Sequence, residues 1–191
     1  MEKAYSIASQ ALQNLMVDNG CVGDLLCAGV LDKYSPQSTI NFGSALSKYF
    51  KIVKNCEYSV DSTGCMPQKA YYTFDPKIKT SLGYTDLNIS GYSGYKSYRF
   101  ITVDGTSYGI YGAGTSTIAP STTIYGTIDF DVNGPAKPPN EFGRDLFTFI
   151  ITKNGTLSPI SKGEEHRCND GMSNGLYCAE RLVKDGWQMN Y

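Results

Sequence analysis

Six cysteines in three close pairs, Cys21/Cys27, Cys56/Cys65 and Cys168/Cys178, constrain this chain more than any other feature. Structural zinc wants ligand pairs of the CxxC kind, and these gaps are longer and irregular. The single histidine, His166, lies in the charged stretch 162–167 and completes no Cys/His set of ordinary finger spacing. Thiols paired without metal spacing point to disulfides, and hence to an oxidising, extracytoplasmic compartment. Sequence alone leaves the connectivity open; the pairing expected joins each cysteine to its near neighbour. On the chain-entropy model each such loop contributes roughly 2–3 kcal/mol, so the bridges pin loops rather than create the fold.

A fold around those bridges must come from the 191 residues themselves, enough for a single domain over residues 1–191 with a sizeable core. Charged residues make up only 18%, while 15 Tyr and 20 Gly stand out, a balance that favours strands and turns over a helical bundle. The formal net charge is −1 and no basic block appears, so a nucleic-acid partner is not expected.

Helix periodicity opens the chain. Ala4, Ile7, Ala8, Ala11, Leu12, Leu15 and Met16 fall on one face over residues 2–18, and Asp18-Asn19-Gly20 supplies a stop. This pattern begins at the first residue without a cap, and an export signal is needed elsewhere; both lead us to expect a longer natural chain upstream. Residues 21–36 read as a short helical turn and loop. A second helix is expected over 39–53, with Phe42, Ala45, Leu46, Tyr49, Phe50 and Val53 on one face and Lys51 and Lys54 complementing its C-terminal dipole.

Beyond residue 56 the period becomes that of strands. Residues 70–74 read as a strand, and 84–125 as a Tyr/Gly-rich run and candidate exposed face. Within that run, 98–103 and 107–111 form a hairpin about Asp104-Gly105. Residues 123–132 alternate cleanly. Residues 146–152 turn through Lys153-Asn154-Gly155 into Thr156-Leu157. A short helix over 179–184 and a terminal strand over 187–191 complete the reading.

The sharpest local motif is Asp129-Phe130-Asp131-Val132-Asn133-Gly134. Hard cations want clustered oxygen ligands, and D-x-D-x-N-G provides three such side chains and a permissive glycine. The EF-hand pattern then fails: its closing position falls on Asn140 rather than Glu, and Pro135, Pro138 and Pro139 stiffen the second half of the loop. A Ca²⁺ loop closed by Asp145 and a plain acidic strand end with an Asn-Gly turn both remain open.

No catalytic constellation accompanies it. His166 reads as a surface residue, no G-x-S-x-G or Cys-centred motif is present, and the Gly-rich stretch 109–114 lacks a phosphate-loop lysine. Asn88 and Asn154 match a glycosylation acceptor pattern that is common by chance. An enzyme is not expected.

The amphipathic opening from Ala4 to Gly20, the run Asp131-Val132-Asn133-Gly134 … Pro139-Asn140-Glu141-Phe142-Gly143-Arg144-Asp145-Leu146-Phe147-Thr148-Phe149, and the close from Cys178 to Tyr191 together resemble bacterial type IV pilins and type II secretion pseudopilins. The resemblance covers both ends and leaves the Tyr/Gly-rich middle unmatched. It implies an α+β fold in which a four-stranded antiparallel sheet packs on the exposed half of a long N-terminal helix. The apolar half of that helix, upstream of Met1, would anchor in the inner membrane and later pack in the core of a helical filament of like subunits. It also implies calcium in the loop before the last strands, held by Asp129 or Asp131 with Asn133 and Asp145. The expected role is a structural filament subunit. A secreted adhesin or carbohydrate-binding module is the alternative, and a secreted hydrolase a third.

Overall fold

The computed structural model describes residues 1–31, 35–59, 64–66, 97–112, 124–160, 163, 165–168, 175 and 177–191. The strands expected at 70–74 and through most of 84–123, and the glycosylation pattern at Asn88, lie outside them.

Glu2–Asp18 forms helix α1, with Ala4, Ala8, Ala11, Leu12, Leu15 and Met16 buried along one face. The alanines leave room for close approach to a neighbouring layer. The helix ends where Asn19 donates its side-chain amide to the Leu15 carbonyl at 2.7 Å and Gly20 turns to φ +66°. A short 3₁₀ turn, Leu25–Ala28, comes next, capped by Asp24.

Helix α2 spans Pro36–Ser47, three residues earlier than expected at its start and ending well before Val53. The Ser35 hydroxyl accepts from the Ser38 amide at 3.1 Å and Pro36 occupies the first turn. This Ser-Pro start signal outweighs the apolar periodicity that suggested 39. Phe50 is buried beyond the helix end, and Val53, Lys51 and Lys54 belong to the approach to and body of a strand, so the lysines complement no helix dipole.

Six strands form one antiparallel meander in sequence order: β1 Ile52–Ser59, β2 Ser97–Thr102, β3 Ser107–Gly112, β4 Ile124–Asp131, β5 Leu146–Thr152 and β6 Leu157–Pro159. The sheet is therefore wider among the described residues than the four strands the resemblance implied. An aromatic row crosses it: Phe100–Tyr108, Tyr108–Phe130 and Phe130–Phe149 have ring centroids 5.3, 5.5 and 5.6 Å apart, and Tyr5 of α1 closes the row on Phe149 at 5.3 Å. Such pairs contribute about 0.5–1.5 kcal/mol each beyond the area they bury.

Both helices cover this face. At one end of the sheet Lys3 of α1 pairs with Asp104 in the β2–β3 turn at 2.9 Å. At the other end Gln13 donates to the Gly155 carbonyl in the β5–β6 turn at 3.4 Å. Helix α1 thus runs from the β2–β3 turn towards the β5–β6 turn, with the Tyr5 hydroxyl donating to the Leu157 carbonyl along the way.

The chain closes with helix α3, Cys178–Lys184, on the same core through Ala179 and Leu182. No terminal strand succeeds it. Gly186 and Trp187 both adopt positive φ, +64° and +67°, which breaks extension. The tail is held instead by the Trp187 ring on Tyr5 and by the Tyr191 hydroxyl donating to the Gly143 carbonyl at 2.8 Å.

All three expected bridges are present, Cys21–Cys27, Cys56–Cys65 and Cys168–Cys178, and no cysteine is free. They mark a protein that matures in an oxidising compartment. Among the described residues no helix is long and apolar enough to cross a membrane.

Candidate metal centre

Between β4 and β5 the chain makes a loop that folds back on the end of β4. The Val132 amide donates to the Asp145 carbonyl at 2.9 Å, and the amides of Arg144, Asp145 and Leu146 all turn onto the Glu141 carbonyl. Asp145 is the hub. Its Oδ1 accepts from the Glu141 amide at 2.6 Å, and its Oδ2 from the Asn140 amide at 2.8 Å and the Asn133 side-chain amide at 3.2 Å. Asp131 Oδ1 accepts from the Gly134 amide at 2.9 Å.

The atoms these bonds leave over are more informative. Asp131 Oδ2, Asn133 Oδ1 and Asn140 Oδ1 are buried acceptors with no partner, and Asp131 is 0% exposed. Across the ladder, Ser107 stands directly opposite Asp131, and its buried hydroxyl also lacks a partner. A buried acceptor left unsatisfied costs about 1–3 kcal/mol, so several in one loop is an arrangement that asks for a donor or a cation.

Electrostatics point the same way. Burial and the neighbouring Asp145 charge push the Asp131 carboxyl up to about 7, and burial raises Asp145 despite the amides that donate to it. Two buried carboxyl groups, with the Asp145 charge opposing ionisation of Asp131 and amide oxygens beside them, form an oxygen-only set of the kind Ca²⁺ accepts. No group of three or more His, Cys, Asp or Glu gathers here or anywhere else among the described residues, so the cation candidacy of this loop rests on two carboxylates together with amide oxygens.

Of the four residues the sequence suggested, Asp131, Asn133 and Asp145 come together here. Asp129 does not join them. Its Oδ1 accepts from the Thr148 hydroxyl at 2.9 Å, and burial drives its carboxyl up to about 7 against that hydrogen bond and the Arg99 charge. Arg99 in turn donates to the Ser97 hydroxyl at 2.8 Å, and a methyl on Gly109 would touch both Asp129 and Ser97 at 3.4 Å. The sheet face away from α1 therefore carries a buried polar row that strand alternation alone did not reveal.

Asn140 is the residue that sequence reasoning passed over. The signal was visible: it occupies the closing position of the twelve-residue pattern, where an amide oxygen can ligate although a bidentate carboxylate is usual. Its φ of +54° turns the backbone so that amide and side chain both address the loop. His166 is exposed in a short 3₁₀ turn, Glu165–Arg167, apart from this loop in sequence and element.

Comparison with family models, with curated proteins and with solved structures gives no match for this chain.

Proposed function

We propose that this chain is the extracytoplasmic domain of a structural subunit in a bacterial type IV pilus or type II secretion-like filament. The observation that supports it best is the alanine-lined face of α1 seated on an antiparallel sheet, with Glu2, Ser6, Gln10 and Asn14 left on the exposed face. The buried stripe joins the core shared with the sheet, and the polar face is left for neighbours. The three disulfides agree with an extracytoplasmic site of action. In this reading an apolar continuation of α1 anchors the subunit in the inner membrane and then packs in the filament core.

Calcium belongs to the same proposal. Asp131, Asn133, Asn140 and Asp145 are the residues that would hold it, and the ion would neutralise the paired carboxylates and order the loop.

In vivo photo-crosslinking tests the filament role. With a photoreactive side chain placed at Gln10 in the full gene product, the expected result is a ladder at multiples of the subunit mass. Crosslinking to no other copy of the chain overturns the filament reading.

A further inference from the structure

The candidate cation loop touches the helix anchor through two glycines. Gly134, whose amide is held by Asp131, packs so tightly on the β2–β3 turn that a methyl on it would lie 2.8 Å from the Gly105 carbonyl. Gly105 itself is fixed by its amide on the Thr102 carbonyl at 2.9 Å. The residue before it, Asp104, is tied by the Thr102 hydroxyl at 2.7 Å, the Thr106 amide at 3.3 Å and Lys3 of α1 at 2.9 Å. An unbroken line of backbone contact, hydrogen bond and ion pair thus runs from Asp131 to the first turn of α1.

Over this stretch α1 is tied to the sheet by Lys3 and by Tyr5, whose ring lies 5.3 Å from Phe149 and 4.9 Å from Trp187, with Ala4 buried between them. Resting on the calcium reading above, we propose that a cation in the β4–β5 loop fastens the Lys3–Ala8 stretch of α1 to the sheet, with Gly134, Gly105 and Asp104–Lys3 as the connection. Without a cation, the Asp145 charge beside Asp131 and the unpartnered acceptors favour opening of the loop, which withdraws Gly134 from Gly105. A cation binds only where its ligands converge, so it selects the closed loop and with it the seated turn. For a filament subunit this would make the helix that carries the subunit contacts responsive to calcium outside the cytoplasm.

Calorimetry with CaCl₂ reports binding, while amide exchange at residues 2–8 and the emission of Trp187, the sole tryptophan, report the helix start. In the unaltered protein calcium should slow exchange over residues 2–8 by up to about fivefold and shift Trp187 emission. Lys3→Gln, on a side chain 72% exposed, should still bind calcium yet show no calcium-dependent slowing at residues 2–8. Asp104→Asn serves as a second variant with the same expectation. Calcium binding with unchanged exchange and emission overturns the connection while leaving the site standing. Equal slowing in both variants overturns the Asp104–Lys3 route. Absence of any binding heat or competition against a calcium indicator removes the cation reading itself, and this inference with it.

Discussion

Gly43 of α2 lies flush against Tyr98 of β2: a methyl at position 43 would come within 2.1 Å of the Tyr98 Cβ and 2.3 Å of its Cγ. The Tyr98 Cβ is fixed by the backbone, so no side-chain rotation can clear it. Helix propensity alone would favour Gly43→Ala by about 1 kcal/mol. The clash must instead push α2 off the sheet, so the substitution should destabilise by about 1–3 kcal/mol net. Urea denaturation beside Ser44→Ala, an exposed neighbour on the same helix expected to change stability by less than about 0.5 kcal/mol, makes the comparison. Equal midpoints for the two variants would mean the helix is not seated there.

Acid should loosen the joint between α1 and the sheet. Burial holds the Asp104 carboxyl up, but hydrogen bonds from Thr102, Lys3 and Thr106 and the Lys3 charge outweigh it and bring the group down to about 2. Its folded pKa is therefore below the unfolded value of about 3.9, and the unfolded chain binds more protons between the two. The contribution is complete above about pH 4 and is lost as pH falls through about 2. After allowance for screening at a partly exposed pair it amounts to about 1 kcal/mol. Asp104→Asn should be weaker than the parent by that amount near neutrality and equal to it at about pH 2, measured as chemical denaturation midpoints. A gap that stays constant with pH would remove the ion pair as the cause.

How much of this was legible in sequence depended on which signals were local. Helix α1, the Asp104-Gly105 hairpin, the alternating β4 and the β5–β6 turn each carry their own period and turn residues, and each is observed. Helix α2 was misplaced because Phe50 and Val53 continue an apolar spacing past its end; one is buried in the core from a turn, the other is 64% exposed on a strand. The tail at 187–191 has strand-like composition, yet Gly186 and Trp187 turn it. The candidate site was half visible. Asp131 and Asn133 come from a written pattern whose closing position is Asn140, whereas the place of Asp145 needs the fold-back of the loop, and the burial of Asp129 against Thr148 needs the register Asp129↔Thr148.

The bridge Cys168–Cys178 should matter beyond its own segment. Both sulfurs belong to fully buried residues, and the Cys178 side chain is so close to Gly143 that a methyl there would meet it at 2.6 Å. Replacing both cysteines by serine should cost roughly 2–3 kcal/mol in urea unfolding. Because Gly143 lies in the β4–β5 loop, exchange over 140–145 should quicken as well. A stability change with no added exchange there would confine the bridge to its own loop.

Calcium should raise the melting temperature in a way that separates the two aspartates of β4. For a site of about 0.1 mM, millimolar Ca²⁺ adds about 1.4 kcal/mol, or about 3–6 °C for a chain of this size, relative to chelator. Asp131→Asn removes one of two mutually opposed carboxylates, so the calcium-free protein should melt no lower than the parent. Its calcium shift should nevertheless fall below about 1 °C, since a ligand charge has gone. Asp129→Asn, placed on Thr148 rather than in the loop, should keep the full shift whatever it does to the baseline. The baseline thus reports burial and the shift reports ligation. A shift that survives Asp131→Asn and vanishes in Asp129→Asn would move the ion out of the loop and onto the buried face of the sheet.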